Sequence, residues 1–195
     1  MVIISEFVEE WFTVKKKYPV TIRNANLSGF QSELRIIHDI YNDSMTGHWG
    51  FSPASWEEFC YLADDLKKLI DPSLVLIAEY KGEPAGFLLA LPNFNEVFIK
   101  IRDGKLFPWG IIRFLTQRKN IKTARVISMG LKKKFNSLSL GGLFYSEISR
   151  RIVERGIDSA EMSWVMEDNV LMNRAAGHMG GRIHKTYRIF RKSIA

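Results

Sequence analysis

With 195 residues, 46% of them hydrophobic and 25% charged, the chain has the length and composition of one sizeable globular domain. No apolar run reaches the roughly 18–20 residues that a helical membrane span requires, and the stretch from Met1 to Lys17 mixes Glu and Lys with apolar residues, unlike a signal peptide. The formal net charge of +7 directs attention to polyanions: nucleic acid, an anionic lipid surface or a phosphate-rich co-substrate. Cys60 is the single cysteine. It cannot form an internal disulfide, so a reducing, cytoplasmic location is the expectation, and Cys60 itself reads as a small core residue.

In chain order, residues 2–17 predict a short helix with Ile4, Phe7, Val8 and Trp11 on one side, stopped by Pro19. Val20 to Arg23 reads as a first strand. Asn26 or Ser28 is placed to cap a helix running to about Asn42, with Phe30, Leu34, Ile37 and Tyr41 along its apolar face. Tyr41 to Phe51, aromatic and polar with two glycines, reads as an ordered loop. Ser52-Pro53 opens a second helix through Ile70, ended by Asp71-Pro72. Leu74 to Tyr80 and Pro84 to Leu91 are two strands joined by a tight turn at Lys81-Gly82-Glu83.

Glu96 to Lys122 is irregular: a short helix, a turn at Asp103-Gly104, a helical run from Phe107 to Leu115 and a basic end. It reads as an insertion, a lid or substrate wall in one reading and an ordinary packed segment in the other. Thr123 to Leu131 is a buried strand. Leu140, Leu143, Phe144, Ile148 and Ile152 then form a helical stripe ending at Gly156. Ser159 to Met166 predicts another strand, Val170 to Met179 a helix closed by Gly180-Gly181, and Arg182 to Lys192 a final strand. The order gives an α/β fold around a mixed sheet.

The stretch from Thr123 to Gly156 organises the rest. A strand, a loop of lysines, small polar residues and glycines, and a helix start make the geometry of an anion site, because the first helical N–H groups lack intrahelical partners and the helix dipole adds positive charge. Gly141 and Gly142 would let a ligand approach the backbone. An ordinary strand-to-helix connection has the same pattern.

On Val20-Thr21-Ile22-Arg23, the hairpin Ile77 to Gly86, the central strand, loop and helix, and Glu167-Asp168-Asn169 through Met179-Gly180-Gly181, the chain resembles the GNAT superfamily of acyl-CoA N-acyltransferases. The resemblance covers about residues 20–192. The wording of residues 161–169 and 181–189 is similar to a poorly characterised bacterial branch of tandem proteins. It implies that this is their C-terminal half, with residues 1–19 as an N-terminal helix or former linker (Glu6 to Pro19 the former connecting helix), Met1 as a late or truncated start, and residues 20–195 as the domain, interrupted by the insertion at about 95–122.

The resemblance implies a mostly antiparallel mixed sheet with a V-shaped splay, flanked by helices. It implies an acyl-CoA-dependent N-acyltransferase, acetyl-CoA first among the co-substrates, with a small-molecule or peptide amine attacking the thioester directly. Met129, Gly130 and Leu131 would face the pantetheine arm. Asn136, Ser137, Leu138, Ser139, Leu140, Gly141 and Gly142 would hold the pyrophosphate, and Asn169 would face the co-substrate. The loop departs from the family pattern at Asn136 and Ser139, and Ala176 stands where the family often has a tyrosine acid. The central strand has no carboxylate.

Proton-transfer candidates are therefore Glu161, Glu167 and Tyr187, while caps on the next helix from Asp168 or Asn169 are the structural alternative. A catalytically weak GNAT-like acyl-CoA-binding or scaffold domain is the alternative function, and a second GNAT-like domain or a homodimer the expected macromolecular partner. His178 and His184 lack a third ligand at metal spacing, so no metal is expected. Charge alone, without stacking motifs, does not make a nucleic-acid site, and no membrane partner is expected.

Overall fold

The structure, a computed structural model, describes residues 19–101, 105–138, 140–162, 164–190 and 192. The predicted helix over 2–17, the turn at Asp103-Gly104, and Ser139 and Ser163 lie outside the described residues.

Five strands form one sheet in the order β1-β2-β3-β4-β5: β1 (Val20–Asn24), β2 (Val75–Tyr80), β3 (Glu83–Pro92), β4 (Thr123–Leu131) and β5 (Ser159–Met162). The first three pairings are antiparallel and β4–β5 is parallel, so the sheet is mixed and mostly antiparallel. Lys81 and Gly82, with φ of 52° and 82°, make the two-residue turn whose twist matches the right-handed twist of the flanking strands.

One face carries α5 (Leu140–Glu154). Its predicted stripe, Leu140, Leu143, Phe144, Ile148 and Ile152, is buried against Leu74, Leu76, Ala85, Leu88 and Ala124. Gly156 ends the helix at φ 69°, where a residue with a Cβ would be strained. The opposite face carries α1 (Phe30–Met45), with Ile36 and Ile37 against Val75, Ile77 and Leu89. Arg23 fastens β1 to both layers, donating to Glu79 at 2.6 Å and to Glu33 at 2.9 Å.

Asn26 is the cap, accepting from the Ser28 N–H, but it caps a 3-10 turn that leads into α1. The second helix, α2 (Trp56–Lys67), starts later than Ser52-Pro53 because Ser55 and Glu58 cap one another reciprocally, a stronger start signal than the upstream proline. The insertion contains α3 (Asn95–Phe98) and α4 (Ile111–Gln117), and Phe114 stacks on Phe98.

Two predicted strands differ. β5 stops at Met162, not Met166, because its partner β4 turns away there. Residues 182–190 form no strand, although they alternate in polarity. A four-residue β5 offers a short edge, and residues 182–190 instead set Tyr187 against Trp164 and pair Arg188 with Glu167. After β5 comes α6 (Val170–His178).

Candidate active site: a splayed central strand

β4 departs from regularity at Ile127. Leu89 pairs with Ser128 and Ala90 with Val126, so Ile127 is the extra residue of a bulge, which bends a strand and increases its twist. The β4–β5 ladder covers Thr123–Val126 against Ser159–Met162 and ends there. From Ile127 to Leu131 the strand has β3 on one side and a wedge on the other.

The register decides which backbone groups enter that wedge. The Lys132 N–H donates to the Ala85 C=O at 2.9 Å, in the same register as Gly130 with Phe87 and Ser128 with Leu89. In an antiparallel pair, alternate residues bond to the partner and those between turn their amides away. Met129 and Leu131 therefore present backbone N–H and C=O groups to the wedge, and Gly130 presents its own to β3. Gly130 has a packing reason to be glycine. A Cβ there would lie 2.6 Å from Ser44 Oγ and 2.8 Å from Phe87 Cε1, so its bare Cα lets α1 close on the sheet.

The loop after β4 is a 3-10 helix (Lys133–Leu138). Its start is tied down: the Lys133 N–H donates to Asp43 Oδ2 at 2.7 Å and the Phe135 N–H to the Lys132 carbonyl at 2.8 Å. Phe135 is buried and tilts against Tyr80. Lys132 pairs with Asp39 and Lys134 with Glu83, so two of the three lysines are already neutralised. Asn136 and Ser137 are exposed and Leu138 is half-buried. The first-turn amides of α5, at Leu140, Gly141 and Gly142, have no intrahelical acceptor by position. A Cβ on Gly141 would meet only Met129 Cε, at 3.8 Å. No other atom beyond its own turn lies within 4 Å of that position.

The proton-transfer candidates are not gathered in the wedge. Glu161 sits opposite Arg125 in the β4–β5 ladder, one pair before its end, and its Oε2 lies 3.1 Å from Arg125 Nε without the alignment of a hydrogen bond. Glu167 is exposed and bound by Arg188, whose hydrogen bond holds the carboxyl below the usual range. Tyr187 is 65% exposed. Asn169 takes the structural role: its Oδ1 accepts from the Met172 N–H at 3.2 Å and caps α6. Ala176 spends its carbonyl on the Gly181 N–H and supplies no acid.

One group escaped sequence reasoning. Tyr145 is buried on α5 and its hydroxyl donates to Met172 Sδ at 2.8 Å, joining α5 to α6; burial raises its pKa well above the ordinary phenol value. The only available signal was its place beside the Phe144 stripe. Among the described residues, no group of three or more His, Cys, Asp or Glu could hold a metal ion. A polar hollow of about 420 Å³ lined by Asn24, Ser73, Arg150, Arg151, Glu154 and Arg155 lies toward the other end of α5, and all three of its arginines are paired with carboxylates.

Mixed sheet, bulged central strand, splay and helix start define the GNAT fold. Solved structures share it. A possible acetyltransferase from Clostridium difficile 630 superposes with a TM-score of 0.55 at 10% identity, over 90% of this chain and 98% of that one. AAC(6')-Iy, in complex with the bisubstrate analog CoA-S-monomethyl-acetylneamine, gives 0.55 at 13% identity, over 90% and 99%. By sequence, the chain is 36% identical over 189 residues to a protein of Caulobacter vibrioides named bacterial ceramide synthase, and 35% identical over 187 residues to protein YghO of Escherichia coli K12. Each match covers 93% of this chain, which spans about half the length of the two relatives, 49% and 47%. No family model matches.

Proposed function

We propose that the chain binds acyl-CoA in the wedge beside β4 and transfers the acyl group to an amine. The observation that carries this is the ladder ending at Val126–Met162, which leaves the amides of Met129 and Leu131 facing an open cleft that leads to Gly141. The amide groups of β4 would pair with the pantetheine arm, and the first turn of α5 would take the pyrophosphate. Asn136, Ser137 and Leu138 would border it.

In the reaction the amine nitrogen attacks the thioester carbonyl, the C–S bond breaks, and the thiolate leaves as the nitrogen loses a proton. A β4 amide aimed at the developing oxyanion and the positioning of both reactants supply the acceleration. Glu161 is the base that we assign, because the ladder fixes its position one pair from the apex of the wedge. Its charge is already engaged by Arg125, and α6 has Ala176 where an acid would help the thiolate depart. The chain alone therefore binds acyl-CoA better than it turns it over. A ceramide is an N-acylated long-chain amine, so the name carried by the 36% identical relative supports amide formation here and a long-chain amine as acceptor.

The test is thiol release from acyl-CoA of several chain lengths against a panel of amines including long-chain ones, alongside a melting shift with CoA. A ligand at about 100 times its Kd stabilises by about 2.7 kcal/mol. Gly141→Asp should remove the shift by placing a carboxylate against the pyrophosphate. No shift with millimolar CoA would count against the proposal.

A further inference from the structure

The insertion between β3 and β4 is rooted away from the wedge. It leaves at Pro92 and returns at Thr123, where the Asn93 N–H donates to the Thr123 carbonyl and the Glu96 carboxylate accepts from the Lys122 and Thr123 N–H groups. That is the closed end of β4, opposite the splay.

Residues 97–122 hold seven Lys or Arg and one Asp, so nearly all of the chain's excess positive charge lies in this piece. It also exposes Ile99 (80%), Phe107 (84%) and Trp109 (78%), with Ile111, Ile112 and Leu115 about half exposed. Phe114 turns inward, against Phe94 and Phe98; Leu115 lies three and four residues after Ile112 and Ile111, so the three share the outer face. Gly110 brings the chain back on itself: a Cβ there would lie 2.3 Å from the Lys105 carbonyl, so Phe107 and Trp109 sit at the tip of a tight return. Arg113 donates to the Lys100 carbonyl, while Arg118 and Lys119 make no ion pair among the described residues.

Contiguous exposed apolar side chains mark an interaction site, and the charge around them identifies the occupant. A protein partner's interface is depleted of lysine at its centre. Tryptophan, phenylalanine and isoleucine with Lys and Arg interleaved and almost no acid is the composition that lies in the headgroup region of a bilayer.

We propose that the insertion, through Phe107, Trp109, Ile111, Ile112 and Leu115 with Arg118 and Lys119, docks the protein on an anionic lipid surface. The docking is peripheral: no helix among the described residues is long and apolar enough to span a membrane. Spanning a bilayer and lying on its surface are separate questions. This inference does not depend on acyl transfer, although a docked protein would meet a long-chain amine at its source.

The experiment is flotation of the purified full chain with phosphatidylglycerol–phosphatidylcholine vesicles and with phosphatidylcholine alone. Partition should be at least about tenfold stronger into the anionic vesicles and should weaken with salt. Trp109→Ser with Ile112→Ser should lower it by about tenfold or more. Arg118→Gln with Lys119→Gln should lower it about thirtyfold, from about fivefold per basic residue. All these side chains are exposed, so both variants should melt like the wild type. Absence of binding to anionic vesicles overturns the proposal, as does binding that both variants leave unchanged. A solution dimer that Trp109→Ser with Ile112→Ser dissociates would give the face to a second copy and also overturn it. Loss of CoA binding in the acyl-transfer test leaves the vesicle result untouched, so the two ideas fail separately.

Discussion

Replacing Gly130 by alanine tests whether the central strand is glycine at that position for packing or for a ligand. Gly130 has no positive φ, so its backbone suits alanine, and the substitution alone would stabilise by about 0.4–1 kcal/mol through the unfolded chain. The new methyl would fall 2.6 Å from Ser44 Oγ, 3.3 Å from Ser44 Cβ and 2.8 Å from Phe87 Cε1. Neither neighbour is a free chain end: Ser44 Oγ donates to the Tyr41 carbonyl at 3.0 Å and Phe87 is fully buried. Overpacking of this kind costs about 1–3 kcal/mol, so the net loss should be about 1–2 kcal/mol, or roughly 2–8 °C in Tm for a domain of this size. Ser44→Ala removes the nearest atom and leaves Phe87 in place. It should recover about half of the loss, a coupling of order 1 kcal/mol in a double-mutant cycle. Urea titration with thermal melts of the four proteins is the assay. CoA affinity of the folded Gly130→Ala protein should stay within about threefold, because the Gly130 amide faces β3. A Gly130→Ala protein as stable as the wild type, or no relief from Ser44→Ala, would refute the packing argument; a selective loss of CoA binding would refute the register argument.

Glu147, which accepts from Arg150 at 2.7 Å and from Arg151 at 2.8 Å, is desolvated, which raises its pKa, yet the two arginines outweigh burial and hold it below the ordinary 4.5. A depressed folded pKa adds stability that is present above pH 4.5 and lost as pH falls through the folded value. Glu147→Gln should therefore cost about 1–2 kcal/mol at pH 7, with the gap to wild type closing below pH 4.5 in acid titrations. Tyr145→Phe removes a hydrogen bond to sulfur and little packing, so denaturant midpoints should move by less than about 1 kcal/mol; a larger loss would show that the hydroxyl holds α6 in place. Glu161→Gln should slow acyl transfer by about 10²-fold or more if it is the base, while Glu167→Gln and Tyr187→Phe, on exposed side chains, should stay within about threefold in steady-state assays. A larger effect at either of the latter would move proton transfer out to residues 167–187.

The parts of the fold that follow from local periodicity were legible. The strand at Val20 to Arg23, the hairpin around Lys81-Gly82 and the stripe from Leu140 to Ile152 rest on alternation, turn chemistry and helical spacing, and each is where the pattern puts it. The bulge at Ile127 was not legible. It arises from how β4 meets β3, residues far apart in sequence, and it sets both the splay and the early end of β5. The alternation over residues 182–190 is genuine, but a strand also needs an edge to pair with, and the sequence does not show how short β5 is. The cradle at Gly141 was visible as a loop with two glycines before a buried stripe. The pairing of Lys132 with Asp39 and Lys134 with Glu83 was not, because the carboxylates come from distant segments. The cap on α6 was legible, because Asn169 accepts from the Met172 N–H only three residues on.

The central claim is that the backbone of β4 beyond the bulge, together with the first turn of α5, receives acyl-CoA. Backbone amide resonances followed during titration with acetyl-CoA test it residue by residue. The account requires saturable shifts at Met129, Leu131, Gly141 and Gly142, with smaller changes at Gly130 and Ser128, whose amides bond to β3. Saturation without shifts at Met129 and Leu131, or shifts confined to the insertion at residues 97–122, would contradict it.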